Sequence, residues 1–158
     1  MLYTEIKGKM LECQDKIKNG NCTCCKDTRK PGNWIALLPN EWEDILKSEA
    51  SHQFEIVRNH SPFGGKEVIC ILQGKNCIYQ PLDCRLYPFF PKEIDIVSNH
   101  IKLYIGNKCP INQDILMKYY DSTCKLILDL CKKSPELVKW FENAAYNLKE
   151  YRSIDNKD

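Results

Sequence analysis

The sequence predicts a single α+β domain, a small cysteine-rich metal-binding fold with short strands in the middle and a helical pair at the C-terminus. Apolar residues recur at three- and four-residue steps near both ends of the chain. They alternate with polar ones through the middle. Ten cysteines interrupt this pattern, most of them in loops or at the ends of elements.

Residues 2–18 read as a helix, because Leu2, Ile6, Met10, Cys13 and Ile17 form one apolar stripe that Lys18-Asn19-Gly20-Asn21 closes. Residues 19–33 form a polar loop that carries Cys22, Cys24 and Cys25. Trp34 to Leu38 is a short strand. Pro39 and Asn40 then open a helix from Glu41 to about Ala50, with Asn40 as its N-cap. Phe54–Arg58 and Glu67–Gln73 are strands joined by a turn at Ser61–Gly65, and Gly74-Lys75-Asn76 is a further turn. Pro81 to Tyr87 is one helical turn stopped by Pro88. Ile94–Val97 and Ile101–Ile105 form a hairpin around Ser98-Asn99-His100, which Gly106-Asn107-Lys108 ends. One helix covers about Asn112 to Lys132. A second starts at Ser134-Pro135-Glu136, an N-cap followed by a proline at the first helical position, and runs to about Tyr151. No repeat or linker divides the chain. Residues 1–158 therefore read as one domain, with a cysteine-cluster region at 13–110 and C-terminal helices at 111–152.

Composition excludes several classes of function. The charges nearly balance, 23 Lys+Arg against 21 Asp+Glu for a net +2, and the lysines are dispersed. This gives no basis for a nucleic-acid or anionic-membrane partner. The first 18 residues carry Glu5, Lys7, Lys9, Glu12, Asp15, Lys16 and Lys18, so they lack the apolar core of a signal peptide. No apolar run approaches the ~18 residues of a membrane span. The expectation is a cytoplasmic protein, whose closely spaced thiols point to metal or redox chemistry more than to disulfides.

The cysteines divide by context. Cys22, Cys24 and Cys25 lie in the first loop, Cys70 late in a strand, Cys77 after the next turn, Cys84 between two prolines, and Cys109 after the hairpin. These are metal-ligand candidates. Cys13 is an eighth, with core packing as its other reading. Cys124 and Cys131 lie among Ile115, Leu126, Ile127, Leu128 and Leu130, and read as small core residues. Tetrahedral zinc takes four ligands, and iron–sulfur clusters take four thiolates as a rule. The histidines are only His52, His60 and His100. A sulfur-only donor set favours zinc or iron–sulfur over copper(II), magnesium or calcium.

The run Cys70-Ile-Leu-Gln-Gly-Lys-Asn-Cys77-Ile-Tyr79, then Pro81-Leu-Asp-Cys84-Arg85-Leu-Tyr87-Pro88-Phe89, then Cys109-Pro110, resembles the CxxCxxCC-type zinc- or iron-chelating cysteine-cluster family, which includes flagellin lysine N-methylase. Leu38-Pro39-Asn40-Glu41 is similar to that family's Leu-Thr-x-x-Glu segment. The first group here is Cys22-Thr-Cys24-Cys25 in place of the full CxxCxxCC, with Cys13 available as the missing thiol, and the Arg-Pro pair before the second motif is Gln80-Pro81. The resemblance implies a bound zinc or iron centre without choosing between them. Tyr79 and Arg85 would orient its ligands.

No phosphate-binding glycine loop, GxGxxG or His-Glu-x-x-His is present. The leading expectation is a metal-cluster module for binding, delivery or assembly, with a protein partner or protein substrate. The alternatives are an iron–sulfur-dependent protein-modifying enzyme, such as a lysine methyltransferase-like component, and a structural metal site in an interaction protein. Asp83, Glu41 and Tyr79 are the acid–base candidates near the motif, and each reads first as a surface or packing residue.

Overall fold

The computed structural model describes residues 34–61, 64–72, 77–106, 112–146 and 151–153. The expected helix at 2–18, the turn at 74–76 and the polar tail beyond Ser153 lie outside these residues. So do Cys13, Cys22, Cys24, Cys25 and Cys109. The described chain is mixed α+β, with short antiparallel strands and several helices, the longest of them C-terminal. No described helix is long and apolar enough to cross a membrane.

The first sheet has the order β1-β3-β2, built from β1 (Ile35–Ala36), β2 (Phe54–Arg58) and β3 (Glu67–Cys70). Both pairings are antiparallel, with Ile35 opposite Val68 and Phe54 opposite Cys70. Helix α1 (Glu41–Lys47) follows a turn in which the Glu41 N–H donates to the Leu38 carbonyl at 3.0 Å. Pro39 and Asn40 fill the centre of that turn. Asn40 occupies the N-cap position, but its side chain makes no capping hydrogen bond. It has φ −106° and ψ 5°, close to the third residue of a type I turn. β3 ends at Cys70, short of the expected Gln73, and the Ile71 N–H still donates to the Gln53 carbonyl at 2.9 Å, in register with the β2–β3 ladder.

The second sheet is the hairpin β4 (Phe89–Asp95) and β5 (His100–Gly106), with β6 (Tyr151–Ser153) added to the far side of β5. The hairpin is longer than its alternation predicts, and its turn sits at residues 96–99. Asp95 Oδ1 accepts from the Val97 and Ser98 N–H groups, and Asn99 takes φ 55°, a conformation that asparagine tolerates. The added length is Phe89-Phe90-Pro91. These residues are all buried, so no alternation marks them, and the register shifts just after Pro91.

Between the sheets lies α2 (Leu82–Leu86), as expected for the Pro81–Tyr87 segment. The single helix expected from 112 to 132 is instead α3 (Gln113–Met117) and α4 (Tyr120–Lys133). The break is a tighter turn, in which Lys118 and Tyr119 donate to the carbonyls three residues back. The last helix, α5 (Glu136–Tyr146), ends before the expected Tyr151, because Tyr151–Ser153 pairs with Tyr104–Gly106 on the edge of β5. That edge would otherwise expose unpaired backbone groups.

Two cores result. The larger packs the hairpin against α4 and α5 through Phe90, Leu103, Ile105, Ile127, Leu130 and Phe141. Phe90, Trp140 and Phe141 form a mutual aromatic cluster with ring centroids 5.0–6.1 Å apart. The smaller lies in the first sheet and includes Ile35, Leu37, Ile45, Phe54 and Val68. The alternation of β1 and its continuation divides the two: Ile35 and Leu37 face the smaller core, Ala36 and Leu38 the larger.

The turn that enters β3 crosses close over this segment. A Cβ on Gly65 would lie 1.8 Å from the Leu37 carbonyl oxygen. Gly65→Ala is expected to lower the free energy of unfolding by about 1–3 kcal/mol, measured by urea denaturation, whereas Val97→Ala, at a side chain 92% exposed, should change it little.

Candidate metal centre

The chain from Cys77 to Arg85 carries two of the expected ligands and is fixed by three buried polar side chains, Gln53 and Glu41 from elsewhere in the fold and Asp83 of the segment itself. Gln53, at the end of a 3₁₀ turn (Ser51–Gln53), is 1% exposed. Its Oε1 accepts from Ile78 N–H at 2.9 Å and Tyr79 N–H at 3.2 Å, while its Nε2 donates to the Tyr79 carbonyl at 2.8 Å. Glu41, also 1% exposed, accepts from Leu82 N–H at 2.9 Å and Tyr79 Oη–H at 3.2 Å through Oε2. Its Oε1 accepts from Leu38 N–H at 3.1 Å. Asp83 is buried beside Cys84 and accepts from Ala36 N–H at 2.9 Å.

Glu41 and Asp83 are thus neither surface nor packing residues. They are backbone acceptors that tie α2 to the segment following β1. Gln53 was not singled out in the sequence, and a lone glutamine between a helix and a strand carries no signal of its own. Tyr79 gives its hydroxyl to Glu41, and Arg85 Nε donates to the Gln80 carbonyl at 2.7 Å. Both side chains therefore brace the Cys77–Cys84 segment.

The cysteines separate clearly. Cys131 is fully buried in the larger core, and Cys124 packs against that core from its edge. Burial pushes both thiols up to about 11, with Asp121 adding to the effect at Cys124. At neutral pH they stay protonated and fill space, as the sequence predicts. Cys70 is buried in the smaller core, half-buried Cys84 packs against the same cluster, and Cys77 is exposed.

Cys70, Cys77 and Cys84 are therefore carried on one braced region next to the first sheet. Among the described residues no three His, Cys, Asp or Glu side chains gather around one point as a metal would need. A four-thiolate site involving this region would have to draw on cysteines outside the described residues. The donor chemistry of the three thiols suits zinc or iron–sulfur.

A cavity of about 440 Å³ is lined by Leu38, Pro39, Glu41, Asp44, Trp140 and Asn143 among others, with no cysteine in its described wall. Glu41 belongs both to the wall of this cavity and to the bracing of the Cys77–Arg85 segment.

No protein-family model, curated protein or solved structure matches the chain. The resemblance to the cysteine-cluster family rests on the motif residues alone.

Glu41 makes the bracing dependent on pH. Burial raises its carboxyl from 4.5 to about 7, against the opposing effect of the bonds from Leu82, Leu38 and Tyr79. The folded chain then holds a proton that the unfolded chain has released, so stability falls as pH rises between 4.5 and about 7. The loss is roughly 3 kcal/mol at 1.36 kcal/mol per pKa unit. Glu41→Gln is expected to remove this dependence. The stability of the wild type minus that of the variant, from urea unfolding at each pH, should decline by roughly that amount from pH 4.5 to 8.

Proposed function

We propose that the chain is a cytoplasmic metal-cluster protein, holding zinc or an iron–sulfur centre through cysteine thiolates, that serves as a binding, delivery or assembly module for a protein partner. The observation that carries this reading is the bracing of Cys77 and Cys84. Buried carboxylates and amides are costly unless they have work for their polar atoms. Here Glu41, Gln53 and Asp83 all direct theirs to the backbone that carries the cysteines or to the β1 segment it packs on.

The ligand set combines Cys70, Cys77 and Cys84 with Cys22, Cys24, Cys25, Cys109 and Cys13. Bound metal would neutralise most of the charge of the gathered thiolates and lock their loops together. A structural zinc site contributes about 10–16 kcal/mol of apparent binding energy, comparable to or larger than the about 5–15 kcal/mol by which whole domains are stable. The protein's own residues hold the thiol-bearing backbone in place before the metal arrives.

The test is purification without oxygen, followed by a visible spectrum and measurement of zinc, iron and sulfide per chain. Iron with sulfide and a broad band near about 400 nm selects an iron–sulfur centre, and colourless protein with zinc selects a zinc site. Cys84→Ala should weaken metal retention at least as much as the about 10- to 100-fold that loss of an outer partner costs, while Cys131→Ala keeps the metal. Metal-free protein with stable disulfides would overturn the reading.

A further inference from the structure

We propose that Gln53 is a positioning residue that brings Cys70 and Cys77 together as a ligand pair; this assignment rests on the metal-binding reading above. Six residues separate these cysteines. A Cys-x-x-Cys loop sets its thiols side by side through local geometry, but a separation of six does not. The ends of such a loop need an outside hold, because closing it costs chain entropy.

Gln53 supplies that hold from both its backbone and its side chain. Its carbonyl accepts from the N–H of Ile71, the residue after Cys70, at 2.9 Å. Its Oε1 accepts from the N–H of Ile78, the residue after Cys77, at 2.9 Å. The Tyr79 N–H and carbonyl complete the clamp at 3.2 Å and 2.8 Å. The two stems of the loop are thus bonded to one residue, each immediately C-terminal to a cysteine.

The position of Gln53 is itself fixed. It directly precedes β2, whose first residue, Phe54, pairs with Cys70 across the sheet. Its own N–H donates to the Ala50 carbonyl at 3.0 Å. The β2–β3 register therefore sets Cys70, and the glutamine side chain transfers that register to Cys77. If Gln53 only filled space, an apolar residue of similar volume would serve without burying an amide. Instead the amide uses both lone pairs of Oε1 and one N–H on a single strand of backbone.

The test is an anaerobic titration of the reduced, metal-free full-length chain with Co²⁺, read by the sulfur-to-cobalt charge-transfer band. Zn²⁺ competition then gives the affinity. Gln53→Leu should bind about 10- to 100-fold more weakly, with a weaker band because fewer thiolates reach the metal. Gln53→Glu keeps acceptors for Ile78 and Tyr79 but loses the donor, and should fall between. Leu130→Ala lies in the other core and lowers stability without touching the clamp, so its band and affinity should match the wild type. That control separates positioning from general destabilisation.

Gln53→Leu or Gln53→Glu, folded by circular dichroism and binding as the wild type does, overturns the assignment while the metal reading stands. Equal weakening in Leu130→Ala also overturns it. If Gln53→Leu does not fold, Gln53→Glu decides alone. No charge-transfer band in the wild type overturns the metal reading and this assignment with it.

Discussion

The structure depends on a short stretch of backbone, residues 35–38, that is buried on both faces. Ile35, Ala36, Leu37 and Leu38 are each at most 4% exposed, and they alternate between the two cores. A strand in that position cannot turn any backbone polar group to water, so each needs a partner inside the protein. Its neighbour β3 is antiparallel and pairs with one edge only. The Leu37 N–H donates to the Lys66 carbonyl at 2.9 Å on that side. Away from the ladder, Asp83 takes the Ala36 N–H and Glu41 takes the Leu38 N–H. Trp140 Nε1 donates to the Leu37 carbonyl at 3.3 Å, which ties in the last long helix.

This requirement explains why carboxylates lie inside the fold. An unmet buried N–H would cost about 1–3 kcal/mol. Asp83 and Glu41 meet two such groups on the 35–38 segment. Because Glu41 also binds Leu82 N–H and the Tyr79 hydroxyl, the same carboxylate attaches α2 to the seam between the cores. Stability of the two cores and placement of Cys84 are therefore one problem with one solution. The raised carboxyl of Glu41 follows from it: burial outweighs the three donated bonds.

Much of this was legible in the sequence where the periodicity had one meaning. β2 matches its expected span, because Phe54–Arg58 alternates between turn residues. The start of α5 is equally plain, because Ser134-Pro135 precedes its first helical residue, Glu136. Legibility failed where burial on both sides erased the period, as at Phe89-Phe90-Pro91. It failed again where tertiary pairing ended a helix, as at Tyr151–Ser153. The motif around Cys84 was visible, but what holds it was not. Gln53 and Glu41 act on backbone about 26 to 41 residues away in sequence, and neither a propensity nor a spacing encodes such a contact.

The same distinction governs the cysteines. Cys131 and Cys70 are both buried, so burial alone does not separate a core thiol from a proposed ligand. What separates them is the backbone on which each is carried. Cys131 sits inside α4, where the helix meets its own backbone hydrogen bonds and the thiol adds only volume to the larger core. Cys70 is the last residue of β3, and the Gln53 carbonyl accepts the Ile71 N–H beside it as the final bond of the β2–β3 ladder. Cys84 lies in a five-residue helix, too short to be stable by itself, that two carboxylates anchor. Regular elements stabilise themselves, whereas these short stems are held by buried polar groups from distant parts of the chain. Such groups specify position at an expense in desolvation that an apolar filler would avoid. Their concentration on the backbone that carries Cys77 and Cys84, in contrast to the apolar surroundings of Cys131, is the physical reason to look for chemistry at that end of the molecule.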